Sequence, residues 1–199
     1  MPYTKDVLIG APDQGGTTGA ILHADVGTTL PTINNVFSAN AAWRSNFSGN
    51  EYVSEEGLTL TPSFSTNNIK DWSGATVRKV LNEFDGKISW QMLSTNEEAM
   101  KIAFGEDYVN ATAATREHGK LLEVALGAHL ADEQSFIFLM KDGDAKMAVV
   151  VPNGQITEVG ETNFRSNDAI KWPVTLSCYP DENGQSIYIW TDDGQVTSA

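Results

Sequence analysis

The chain has 199 residues, 41% of them hydrophobic and 20% charged, an ordinary globular composition that supports one domain with a real core and does not require a second. A formal charge of −13 excludes ordinary nucleic-acid binding, which relies on Lys and Arg to displace counterions from phosphates. The single cysteine, Cys178, excludes an internal disulfide and any Cys-cluster metal site.

Residues 1–57 hold two basic and six acidic side chains, residues 58–141 eight and eleven, and residues 142–199 three and nine. The acidity is therefore spread out and not gathered in a tail, the pattern of a soluble surface. No apolar run approaches the roughly 20 residues of a membrane helix. Met-Pro-Tyr-Thr-Lys-Asp lacks the basic start and apolar segment of a secretory signal, so the expectation is a chain that folds where it is made, with no membrane partner.

In chain order, residues 1–56 are expected to form an arm, one strand near Thr17–Ala24 and a long loop. The arm sets Val7, Leu8 and Ile9 among glycines and Pro12. The loop contains Leu30, Ile33, Val36, Phe37, Trp43 and Phe47, too apolar for a solvated linker, and long loops inside compact domains are commonly functional. Val7, Leu8, Ile9, Leu30, Ile33, Phe37, Trp43 and Phe47 are thus expected to bury themselves against another subunit.

Residues 57–199 read as a β domain, a single domain overall with the arm. Leu58, Leu60, Pro62 and Phe64 alternate with Thr59, Thr61 and Ser63, the period-2 signature of a half-buried strand. Residues 75–84 read as a further strand, since Thr76, Val77 and Val80 are β-branched. Asp85-Gly86 predicts a type I′ hairpin turn, with alternation resuming at Ile88, Trp90 and Met92. Ser94 or Thr95 is expected to cap a helix over about 95–104, because Glu97 and Glu98 follow each by three residues. Ala99, Ile102, Ala103 and Phe104 form its packing stripe, and Gly105 is placed to end it in a left-handed turn.

Glu106–Gly119 reads as polar loop and Lys120–Leu130 as a strand with Leu122, Val124 and Leu126 on one face. Phe136–Met140 and Met147–Val151 flank Asp142-Gly143 and are apolar on both faces, so they should lie centrally. Asn153-Gly154 predicts another turn, and Trp172–Tyr179 is expected to pair with Ser186–Trp190 around Pro180–Gly184. The fold class that follows is mostly β, an antiparallel sandwich or barrel with one flanking helix.

Chemistry-bearing patterns are weak. Gly10-Ala-Pro-Asp-Gln-Gly-Gly-Thr17 lacks the lysine of a phosphate loop and reads as a flexible arm. Asp142-Gly-Asp144 and Asp181-Glu-Asn-Gly184 lack the ligand spacing of a calcium loop and read as turns. His23, His118 and His129 are scattered, and the pairs Glu55-Glu56, Glu97-Glu98 and Asp192-Asp193 are adjacent, so strand pairs diverge to opposite faces. The five tryptophans lie in five separate segments. No catalytic residue, metal ligand or cofactor site is expected.

Gly57-Leu-Thr-Leu-Thr-Pro62, the Ile69-Lys-Asp-Trp72 bend, Glu83–Trp90 (EFDGKISW) and Thr95–Gly105 (TNEEAMKIAFG), preceded by Thr4–Pro12 (TKDVLIGAP), occur in an order that closely resembles the major tail tube proteins of long-tailed, non-contractile bacteriophages. The resemblance reaches from Thr4 through at least Tyr108. It implies a structural virion protein, made and assembled in the host cytoplasm. Hexameric rings of such proteins stack into a hollow tube, which encloses the tape-measure protein, meets terminator and tip proteins, and later conducts DNA. A −13 chain would then present a net negative inner wall that repels the polyanion. The alternative from another class is an isolated β-sandwich binding module, such as a capsid decoration or carbohydrate-binding domain.

Overall fold

Two adjacent strands, apolar at every position of their central stretches Phe136–Met140 and Met147–Val151, organise the molecule. In the computed structural model, which describes residues 7–13, 20–38, 40–49 and 52–195, β7 (Glu133–Asp142) and β8 (Ala145–Val159) pair antiparallel around a turn in which Gly143 has φ 60°. Phe136, Phe138, Val149 and Val151 face one core, while Ile137, Leu139, Ala148 and Val150 face another. Continuous apolarity here means burial on both faces of the sheet.

Around this pair lie β1 (Ala11–Pro12), β2 (Ile21–Asp25), β3 (Val53–Lys70), β4 (Thr76–Met92), β9 (Trp172–Tyr179) and β10 (Tyr188–Asp192). All join one eight-stranded antiparallel sheet in the order β1-β7-β8-β9-β4-β3, with β2 also on β7 and β10 also on β8. The sheet curls into a half-barrel with one helix, so the mostly β class with a flanking helix is what the chain adopts. β5 (Val109–Thr112) and β6 (Leu121–Val124) form a small separate ribbon.

The larger core lies between the sheet and the helix α1 (Glu97–Phe104). It joins Ile88, Trp90 and Met92 of β4, Val174, Leu176 and Cys178 of β9, and Ala99, Met100, Ile102 and Ala103 of α1. The second core covers the opposite face of β7 and β8 with Leu22, Val36, Trp43 and Phe47.

Several sequence expectations are corrected. Asp85-Gly86 is no turn: β4 runs through it, with Asp85 opposite Ser63 and Gly86 opposite Pro62. Asn153-Gly154 likewise lies inside β8. Both glycines answer a close approach, since a Cβ would fall 2.8 Å from Ile187 Cδ1 at Gly86 and 2.8 Å from Leu176 Cδ1 at Gly154. The helix is capped by Asn96, whose Oδ1 accepts from Ala99 N at 2.8 Å. Ser94 Oγ accepts instead from Tyr52 N and Thr95 Oγ1 from the Trp172 indole. Gly105 ends the helix at φ 96°, ψ 149°, a positive φ outside the left-handed helical well. β10 pairs with β8 and not with β9, and Leu126 lies exposed beyond the end of β6.

Candidate assembly interface

Beyond the body, β3 and β4 continue as a bare two-stranded ribbon. Their base is anchored where Gly86–Met92 of β4 pairs with β9. Among the described residues, β4 pairs from Thr76 to Asp85 with β3 alone, and the other edge of β3 has no strand beside it. Every residue from Thr61 to Phe84 is exposed. An isolated hairpin is marginal in water, and two open edges are a template for pairing with another chain.

Register sorts the ribbon into two chemically distinct faces. Leu58 opposite Trp90, Leu60 opposite Ile88 and Phe64 opposite Phe84 prolong the face of the larger core. The rings of Phe64 and Phe84 meet with centroids 5.1 Å apart, and Phe64 stays 63% exposed. The opposite face pairs Thr59 with Ser89, Thr61 with Lys87, Ser63 with Asp85 and Ser65 with Glu83. It continues across the sheet through Thr175 and Ser177, where Ser89 and Thr175 hydroxyls lie 3.2 Å apart and Thr157 and Ser177 hydroxyls 2.7 Å apart. Its charges are few, and Lys87 is paired with Asp85 at 3.3 Å.

The turn at the ribbon's tip is local chemistry. Asp71 Oδ1 accepts from Ser73 Oγ at 2.6 Å and from Ala75 N at 2.9 Å, which holds its carboxyl below the usual value. Gly74 N returns to Asp71 O at φ 87°. Asp at the first and Gly at the fourth position is a turn signal the sequence displayed, with Asp85-Gly86 competing for the role. Trp72 projects from it, fully exposed.

The expected contact residues divide. Val7, Ile9 and Ile33 are exposed, and Leu8 is half-buried. Leu30 and Phe37 pack partly on the second core. Trp43 and Phe47 are buried within it, their rings edge-to-face at 5.6 Å, and Trp43 Nε1 donates to Asn35 O. In the single chain, then, the loop covers its own sheet with these two rings. The sequence up to Asp6 and the Gln14–Gly19 stretch, with Gly15, Gly16 and Gly19 of the expected arm, lie outside the described residues. Of the helix stripe, Ala99, Ile102 and Ala103 are buried and Phe104 packs partly exposed against Trp172; Met100, also buried, was missed.

Among the described residues no three or more His, Cys, Asp or Glu side chains are grouped to hold a metal ion. His23 is buried on β2, its Nε2 3.5 Å from Glu98 Oε1 without a hydrogen bond. His129 stacks on Tyr108. Burial raises the Cys178 thiol to about 12, so it is held unreactive.

The sequence matches the family described as phage tail tube protein over residues 15–199. The chain belongs to the phage tail tube protein family. It is a tail-tube structural protein by that membership, a component of the virion. Among solved structures, the anti-feeding prophage tube-terminating cap is similar at 12% identity and TM-score 0.45, over 96% of this chain and 100% of that one. The tube–sheath complex of an extracellular contractile injection system, PVC, in its extended state is similar at 10% identity and TM-score 0.38, over 95% and 98%. No curated protein matches.

Proposed function

We propose that this tail tube protein closes into hexameric rings that stack into the hollow tube of a long, non-contractile tail, enclosing the tape-measure protein and later conducting DNA. The observation that supports this reading is the β3–β4 ribbon, exposed from Thr61 to Phe84 with no further strand on either edge among the described residues. Neighbouring copies would pair along those edges, which satisfies backbone groups and removes an aggregation hazard at once. The apolar face with Phe64 and Phe84 would turn toward the protein wall.

The face carrying Thr59, Thr61, Ser63, Ser65, Ser89 and Thr175 would line the channel. Hydroxyls offer a wetted surface with short-lived hydrogen bonds. Between Thr59 and Ser65, and opposite it on β4, the only ionic groups are Glu83, Asp85 and Lys87, one cation against two anions. A polyanion finds no basic trap there, because retention needs clustered Lys and Arg. No catalytic or cofactor role enters this reading. Terminator and tip proteins would cap the two open ends.

Negative-stain microscopy of the concentrated protein is the test, with long uniform hollow filaments expected. Phe64→Ser/Phe84→Ser should keep the melting temperature of the free chain, since both rings lie outside its core, yet yield no filaments. Monomers at every concentration would overturn the reading in favour of an isolated binding module.

A further inference from the structure

Cation placement at the ribbon tip is the feature the channel reading leaves unexplained. Most lysines of the body sit beside an acid: Lys87 on Asp85, Lys101 on Glu97 and Glu106, Lys120 on Glu97, Lys171 on Asp168. Lys70, Arg78 and Lys79 have no ion pair among the described residues, and the one acid of the tip, Asp71, is occupied by its own turn. Between them stand Trp72, fully exposed, with Ile69 48% and Val77 62% exposed. Lys70, Arg78 and Lys79 lie close in the ribbon's outer end, Arg78 and Lys79 on its opposite faces, and with the exposed indole in a chain of charge −13 they make a tip complementary to an acidic, apolar surface.

Such a surface lies at the other end of the same molecule. Strand register orients it: the ribbon leaves the body where Gly86 pairs with Cys178, while Met92 pairs with Trp172 and Val159 with Val174 at the opposite end. There Phe164 is 74% exposed and leans on Trp172 at 6.3 Å, which meets Phe104 at 5.9 Å. Beside Phe104 opens a hollow of about 190 Å³, lined by Leu126, Leu130, Val159 and Glu158. Leu126 and Leu130 are 73% and 54% exposed, and Glu158 and Glu161 have no ion pair among the described residues.

We propose that the ribbon tip of one copy docks on this end of a second copy, Trp72 against the Phe104–Phe164 strip and Lys70, Arg78 and Lys79 toward Glu158 and Glu161. The inference rests on the tube reading and names the contact between successive copies. Because the two surfaces are different and lie at opposite ends, the contact is heterologous and repeats without closing, which is what a growing tube requires. Desolvated charge pairs around one aromatic anchor would fix register as well as affinity.

A charge swap and a cross-link test it together. Lys70→Glu/Arg78→Glu/Lys79→Glu and, separately, Glu158→Lys/Glu161→Lys should each raise the critical concentration for filaments about tenfold or more, with unchanged melting of the free chain. All five changes in one chain should restore assembly, because each tip then meets a reversed acceptor. Trp72→Cys mixed with Phe164→Cys, under mild oxidation, should give an intermolecular disulfide between the two variants. Filaments from the unmodified chain without that cross-link, or without response to either reversal, overturn the docking site and leave the tube reading intact. No filaments from the unmodified chain strike at the tube reading itself, and the cross-link then decides the contact alone: its absence overturns the docking site too. Retention of duplex DNA by the unmodified chain, lost in the triple reversal and with no cross-link, assigns the tip to nucleic acid and also overturns it.

Discussion

Asn96 and His23 show how single side chains set the working conditions of this fold. Asn96 supplies the N-cap of α1, while Ser94 and Thr95 turn their oxygens to Tyr52 and Trp172. Asn96→Ala should cost about 0.5–2 kcal/mol in denaturant unfolding, whereas a Thr95 substitution releases the Trp172 indole and leaves the cap in place. His23 sits against Glu98 of α1, with Asp25 on its own strand and Gln134 and Phe136 of β7 around it. Burial lowers its pKa below 6.5, against the opposing pull of Glu98 and then Asp25. Above pH 6.5 both folded and unfolded states hold it neutral and it contributes no pH slope. As pH falls below 6.5 the unfolded chain takes up the proton first, so stability declines until the folded pKa is reached. His23→Phe should flatten that part of the stability–pH curve, and an unchanged slope in thermal melts from pH 7 to 5 would show that other groups set it.

At the scale of elements, glycine has the most instructive role. Gly154 lies within β8 where a Cβ would come 2.8 Å from Leu176 Cδ1 and 3.1 Å from Val151 Cγ1. Gly154→Ala should therefore destabilise by about 1–3 kcal/mol through overpacking, an effect a surface turn would not show. The helix is fixed by its buried stripe: Ile102 is 3% exposed and Met100 1%. Ile102→Ala should cost about 2–5 kcal/mol, read as a lower melting temperature and reduced soluble yield before any change in assembly. Tolerance of Ile102→Asp would mean α1 is not part of the core. Pro152, in the middle of β8, is accommodated by a register shift opposite Ser135, whose hydroxyl donates to Pro152 O at 2.6 Å.

For the whole molecule, the question is which surfaces belong to the free chain and which to the polymer. Val7 and Ile9 are 74% and 67% exposed, and β1 contributes only two residues to the edge of β7. We expect this segment to reach an adjacent subunit or ring, where each buried aliphatic side chain is worth roughly 1.5–3 kcal/mol. A chain lacking residues 1–17 should keep its β circular-dichroism spectrum and cooperative melt yet form no tubes. Normal polymerisation of that truncation, or its unfolding, would remove the arm from the assembly argument.

The sequence by itself determined the elements whose signal is local. Phe136–Met140 and Met147–Val151 declared central strands by being apolar on both faces, Asp142-Gly143 declared their turn, and Glu97-Glu98 ahead of Ala99, Ile102 and Ala103 declared the helix. Only the tertiary structure decided what Gly86 and Gly154 are for, because a glycine needed for a turn and one needed beneath Ile187 or Leu176 are the same letter. It also decided the fate of the loop from Leu30 to Phe47. Periodicity cannot say whether Trp43 and Phe47 cover their own sheet or a neighbour's, since burial depends on which surface arrives first in space. The ribbon lay between these cases. Its alternation was legible from Leu58 onward, but that it leaves the body past Gly86 follows from where β9 ends, a fact of strand pairing and not of sequence.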